Sequence, residues 1–329
     1  MKKIISLTLC ILMLFSVLSL TGCGEKAEPL KIGLGTVSYV EKVTNADADT
    51  NGTGTTTSTF AAVLLDGEGK IVDCAIDSVS YTHSFTSKGK FVEAEEIKTK
   101  YEQGKDYGMV AYGGAKKEWF EQVDAFVATA KGKNLEEVKA LVATDGKGAT
   151  DVVNAGCTIY VTDFVKALEK AIANAKESEA TANDTLNLGV VSTQTGCKDA
   201  TEEAAGVNEI DATVSAAAVN ADGKVTAIVT DALQAVISFD ISGKATTAAN
   251  AEIKTKAEQG DNYGMVAYGG AKKEWYQQAD EFNKACIGKT ADEISKFVAD
   301  DGKAIADIQS AGCTIYVTDI VKAAVKATK

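Results

Sequence analysis

The run YGMVAYGGAKKEW stands at Tyr107–Trp119 and again, letter for letter, at Tyr263–Trp275. A second run, AGCTIYVTD, recurs with the same offset, at Ala155–Asp163 and Ala311–Asp319. The offset is 156 residues in both cases (107 to 263, 155 to 311). Leu30-Lys31-Ile32-Gly33 and Leu186-Asn187-Leu188-Gly189 fit it too, and between these anchors it slips to 154, where the loops differ in length. A period this long is far beyond that of a solenoid, so each copy reads as a domain. The copies run over residues 30–172 and 186–329. Residues 173–185, polar, small and glycine-free, read as a linker that extends the preceding helix and breaks near Asn183-Asp184.

Within the first copy, Lys31–Tyr39 alternates like a short strand. Asn45–Ser58, NADADTNGTGTTTS, reads as a polar low-complexity loop. Thr59–Leu65 and Lys70–Val79 read as strands joined by the turn Asp66-Gly67-Glu68-Gly69. Helical patterns follow at Glu93–Gln103, Lys116–Thr129, Leu135–Ala143 and Asp163–Ala173. Strands first and helices later predict an α+β fold, an antiparallel sheet with packed helices, in two tandem copies. Trp119, Val123, Phe126 and Val127 share one helical face, which makes Trp119 and its counterpart Trp275 packing anchors.

The N-terminus begins with Lys2 and Lys3, continues with an apolar stretch from Ile4 to Leu20, and reaches Leu20-Thr21-Gly22-Cys23. That is the layout of a secretory signal ending in a lipobox. Residues 1–22 are expected to be removed, Cys23 to be lipidated, and residues 23–29 to form a tether. The rest of the chain is then held on the extracytoplasmic face of the cell membrane.

The formal charge is −12, and every basic residue is lysine. An acidic chain without arginine is a poor nucleic-acid binder and lacks the bidentate forks that often hold free phosphates. Of seven cysteines, Cys10 falls in the leader and Cys23 carries lipid. The remaining five are an odd number, which does not make a disulfide framework. The single histidine, His83, reads as a polar surface residue, and with no CxxC a zinc site is not expected.

In the repeated run, Ile159 and Val161 alternate around Tyr160 like a strand, and Thr162-Asp163 reads as a helix N-cap. Gly156, Cys157 and Thr158 are left over, with Gly312, Cys313 and Thr314 in the second copy. Glycine there permits close approach or positive φ. The cysteines read as small, buried thiols. Each threonine lies shortly before a helix start, where free amides and the dipole favour an anion. An aspartate precedes each threonine by seven residues, Asp151 and Asp307. Gly148-Ala149-Thr150 offers a rival hydroxyl, but its counterpart Ala304-Ile305-Ala306 has none.

The pattern Asp-x-x-x-x-Gly-Cys-Thr-Ile resembles the attachment motif of FMN-binding domains, usually Asp-x-x-Ser-Gly-Ala-Thr. It has one more residue between Asp and Thr, and Gly-Cys-Thr in place of Gly-Ala-Thr. Thr99–Gln122 (TKYEQGKDYGMVAYGGAKKEWFEQ) and the hairpin DGEGKIVDCAIDSV are similar to Firmicutes lipoproteins with paired FMN-binding domains, including pheromone-precursor lipoproteins. The resemblance spans nearly all of the chain after the leader, twice. It implies a flavin transferase that joins FMN to threonine through a phosphoester, at Thr158 and Thr314, two per chain. It also implies extracellular electron transfer, from a membrane quinol or flavoprotein to an external acceptor. The sequence offers no catalytic triad or acid–base pair, so a carrier is expected rather than an enzyme. A non-redox lipoprotein binding a solute or polymer is the alternative. Release of LFSVLSLTG as a signalling peptide is a further role compatible with either.

Overall fold

The turn Asp66–Gly69 closes as expected: Gly69 N–H donates to Asp66 O at 3.0 Å, and the Asp66 carboxylate accepts from Glu68 and Lys70 amides. The computed structural model describes residues 28–329. The leader, its lipobox and Cys23 lie outside the described residues. In the first half, β1 (Lys31–Thr44), β2 (Gly52–Leu65) and β3 (Ile71–Phe85) form an antiparallel meander, and short β4 (Phe91–Val92) pairs with β3. Helices α1 (Lys100–Gln103), α2 (Trp119–Ala130), α3 (Leu135–Lys139), α4 (Thr150–Ala155) and α5 (Thr162–Ala173) follow. β5 (Lys176–Glu177) then returns to the edge of β1. The second half repeats the plan with β6 (Thr185–Lys198), β7 (Gly206–Val219), β8 (Val225–Phe239), α6 (Lys256–Gln259), α7 (Trp275–Cys286), α8 (Ala291–Ile294), α9 (Ala306–Ala311) and α10 (Thr318–Ala327).

The α+β class therefore holds: two antiparallel sheets, orders β4-β3-β2-β1-β5 and β6-β7-β8, with helices packed on them. Strand residues alternate between two cores because successive side chains point to opposite faces. Ala61, Val63 and Leu65 meet Trp119, Phe126, Phe164 and Leu168 of the helices. Phe60, Ala62 and Leu64 instead meet Ile210, Val214 and Leu233 of the other sheet. The sheets thus share one core, with helices on the outer face of each. Sheet burial on both faces explains why β2 ends as a near-continuous apolar run.

The halves are related by an approximate two-fold. Phe85 stacks on Phe239, its own counterpart, with ring centroids 4.6 Å apart. Lys170 pairs with Glu258, and reciprocally Lys326 pairs with Glu102. Gly35 and Gly189 occupy equivalent places: a Cβ would lie 2.2 Å from Ala167 O in one and 2.1 Å from Ala323 O in the other. That close approach of helix to strand requires glycine. It also shifts the alignment of the first strands. Gly35, not Gly33, matches Gly189, so the 154 offset already applies in β1, where Lys31 faces Leu65 as Thr185 faces Val219.

Other local expectations change. The Thr-rich end of Asn45–Ser58 is strand, not loop, because β2 begins at Gly52. Its hydroxyls pair inside the sheet, Ser58 with Ser38 at 2.8 Å and Thr57 with Ser80 at 3.2 Å. Of Glu93–Gln103 only Lys100–Gln103 is helical, since Ala94 N–H is taken by Gln194 Oε1 of the other half at 2.8 Å. Leu135–Ala143 stops at Lys139, and Leu141 turns into the core. The segment 173–185 does not extend α5: it forms β5, and buried Ala180 joins the inter-sheet core.

His83 is not at the surface. It is fully buried between the halves, Nε2 3.0 Å from Thr56 Oγ1 and Nδ1 3.0 Å from Asn208 O. Among the described residues, no helix is long and apolar enough to cross a membrane.

Candidate functional site

The duplicated YGMVAYGGAKKEW block is a loop held by its own glutamate. Gly108 and Gly264 end a short 3-10 turn. The buried Glu118 carboxylate accepts from Met109 N–H at 2.9 Å and Val110 N–H at 3.2 Å. Glu274 repeats this with Met265 at 2.9 Å and Val266 at 3.0 Å. The loop leaves Tyr112 and Tyr268 each 90 % exposed at its tip. Trp119 and Trp275 are buried anchors, as their spacing predicts.

One turn into the next helix, Gln122 and Gln278 reach Thr158 and Thr314. Gln122 Oε1 accepts from both Thr158 N–H (2.9 Å) and its hydroxyl (3.0 Å). Gln278 does the same for Thr314 at 2.8 and 3.0 Å. Each glutamine is itself fixed, its Nε2 donating to Lys117 O at 3.1 Å or Lys273 O at 2.9 Å. Both threonines are exposed, so the hydroxyl proton is held while the oxygen lone pairs face outward. Sequence reasoning missed these glutamines. The signal was present: each lies three residues after the retained tryptophan.

Gly156 and Gly312 end α4 and α9 with φ of 108° and 116°. A Cβ at Gly156 would also come within 2.3 Å of Lys117 Nζ. Cys157 and Cys313 are buried, and burial pushes both thiols up to about 11, which makes them poor nucleophiles. Asp151 and Asp307 sit exposed in the first turns of α4 and α9, and no hydrogen bond joins either to its threonine. The rival Thr150 is the first residue of α4.

IYV is not a strand: only Tyr160 and Tyr316 form single bridges, to Lys147 and Lys303. Nor do Thr162 and Thr318 cap their helices. They are the first helical residues, and their hydroxyls donate to Gly146 O (3.2 Å) and Gly302 O (3.4 Å). Val161 and Val317 stand at the cap position, and no side chain caps either helix. No side chain accepts from the first-turn amides of α5 and α10, although Asp163 and Asp319 in those turns place a carboxylate at the positive end of each dipole.

In the second half these features meet around a cleft of about 650 Å³. Thr314, Tyr316 and the first turn of α10 form one wall, and Trp275, Tyr263 and Lys256 another. Lys256 Nζ lies 5.2 Å from the Tyr263 ring centroid and 5.6 Å from that of Trp275, and Lys303 Nζ lies 5.9 Å from Tyr316. Asp211 lies on the floor. Burial pushes its carboxyl up to about 6, against the pull of Lys256, and its Oδ1 is buried without a partner. Such a cleft combines aromatic walls, two ammonium groups and the carboxylates of Asp211 and Asp319. Its volume falls within the ~300–1,000 Å³ usual for cofactor sites. These residues fit FMN: the two lysines suit a phosphate, and the side chains of Tyr263, Trp275 and Tyr316 suit a flavin ring. Among the described residues no group of three or more His, Cys, Asp or Glu side chains is arranged to hold a metal.

Comparison with protein-family profiles, curated proteins and solved structures yields no match.

Proposed function

We propose that this chain is a membrane-anchored, extracytoplasmic electron carrier with FMN joined by a phosphoester to Thr158 and Thr314. In this reading residues 1–22 are the lipoprotein signal, Cys23 carries lipid, and the two copies are FMN-binding-like domains behind that anchor. The observation that carries it is Thr314: an outward-facing hydroxyl oxygen, oriented by Gln278, on the rim of a cleft with two lysines and an uncapped helix terminus. Esterification replaces the hydroxyl hydrogen, so the Oγ1 bond to Gln278 is given up, while the bond from the Thr314 amide is kept. Each ester forms from FMN and threonine with net loss of one water. The diester keeps one negative charge, which the two lysines would offset without any arginine.

Bound flavin would supply the redox chemistry, accepting and passing on electrons; the chain would hold it and shield it. A flavin transferase would load the sites, a membrane quinol or flavoprotein would donate electrons, and an external acceptor would receive them. The same cleft would also serve a non-redox solute binder, and the test separates the two. The mature chain is expressed with and without an active flavin transferase and run on a denaturing gel under blue light. A fluorescent band that survives denaturation only with the transferase is expected. A dark band in both samples would support the solute-binding reading.

A further inference from the structure

The halves differ most where their clefts should match. The register that sets Lys31 opposite Leu65 and Thr185 opposite Val219 makes Tyr39, facing Thr57, the counterpart of Thr193, facing Asp211. Tyr39 reaches across the first-half site, and its hydroxyl donates to Asp163 Oδ2 at 2.9 Å, in the first turn of α5. Asp163 is the counterpart of Asp319, which lines the second-half cleft. Thr57, in the place of Asp211, donates to Glu41 Oε2 at 2.9 Å. The Tyr39 backbone is bridged to Glu252 from the other half, which fixes where its ring starts. In the second half, threonine at 193 is too short to reach Asp319, which pairs with Lys322 at 3.0 Å instead. The floor there keeps one buried carboxylate oxygen of Asp211 unpartnered, while Oδ2 accepts from Thr195 at 3.2 Å.

We infer that the two clefts are unequal: the second-half cleft seats a planar heteroaromatic ring among Tyr263, Trp275 and Tyr316, and Tyr39 closes the first-half cleft to the same ring. The identity of the ring rests on the FMN reading; the inequality rests on the side chains. A flavin joined at Thr158 would then keep its ring outside, in solvent, whereas one joined at Thr314 is sheltered against Trp275 and Tyr263. The two carriers would differ in exposure although their attachment runs are identical.

Riboflavin tests this directly, because it has the ring but no phosphate to esterify. Mature chain made without a transferase is dialysed to equilibrium against riboflavin, with quenching of flavin fluorescence as second readout. One riboflavin per chain is expected for wild type, two for Tyr39→Thr, and none for Thr193→Tyr, which installs the plug in the second half. Circular dichroism checks that each variant folds. Should Tyr39→Thr fail to fold, Thr193→Tyr, on the opposite sheet, keeps the question open to refutation. Two riboflavins per wild-type chain, none at all, or one that persists in Thr193→Tyr would overturn the inference. Intact mass after co-expression with transferase separates the two claims. One riboflavin bound but no FMN gained would sink the covalent reading and leave the unequal clefts standing.

Discussion

Replacing His83 by isoleucine, the residue at its counterpart position 237, isolates the energetic effect of a histidine sealed between two sheets. His83 is fully buried, and burial lowers its pKa from 6.5 to about 4, against the hydrogen bond to Asn208 O. As pH falls through 6.5, the unfolded chain takes up a proton that the folded chain refuses, so stability drops. The loss ends near pH 4, where the folded state protonates as well, and above 6.5 there is none. A difference of that size corresponds to about 3 kcal/mol at ~1.36 kcal/mol per pH unit. Asp77 and Asp231 act in the opposite sense. Burial raises both to about 6, so the folded state takes protons first and gains stability as pH falls below that value. Those contributions are common to wild type and His83→Ile and cancel in the difference. Urea unfolding at pH 7.5, 6.5, 5.5 and 4.5, followed by tryptophan fluorescence and circular dichroism, gives that difference. Wild type should lose about 2.5 kcal/mol relative to the variant between the first and last of these. Parallel pH curves would refute the buried, neutral histidine. The offset at pH 7.5 reports on Thr56 and Asn208 together, whose buried hydroxyl and carbonyl each lose a partner at a cost of ~1–3 kcal/mol.

Three further perturbations follow from the same contacts. Phe239→Ala removes half of the stacked pair on the pseudo-two-fold and should cost ~3–5 kcal/mol by chemical denaturation. Glu274→Ala leaves the Met265 and Val266 amides without their acceptor; faster proteolysis and faster hydrogen exchange of Tyr263–Gly270 are expected, with the first-half loop unchanged. Gly156→Ala meets both a φ of 108° and Lys117 Nζ, and a stability loss of ~1–2 kcal/mol, seen as a lower thermal midpoint, is the outcome to check by calorimetry.

The sequence showed the elements that carry their own signal. A hairpin turn rich in aspartate and glycine, an amphipathic helix with tryptophan at its start and a letter-for-letter duplication all depend on short-range pattern, and the structure keeps them. What the sequence hid was set by the other half of the molecule. His83 has no local reason to be buried; its partner is Asn208, 125 residues away. Glu93–Gln103 has a helical pattern, yet Gln194 of the opposite sheet captures its backbone. The two glycines that fix the strand alignment became visible only through helix carbonyls packed against them. At the site, Thr158, Thr314 and their glycines were legible from repetition. Gln122 and Gln278 were not, because a glutamine inside a helix next to other polar residues looks like solvent-facing surface. Tyr39 was hidden for the opposite reason: it sits outside the retained runs, in the part of the fold where the copies have diverged.

The most direct measurement is the intact mass of the mature chain purified with and without an active flavin transferase. A gain of two FMN units, each less one water, is expected with transferase present, one unit for either Thr158→Val or Thr314→Val, and none for the double variant. An unchanged wild-type mass in the presence of active transferase, or two units retained in the double variant, would contradict covalent FMN at these threonines.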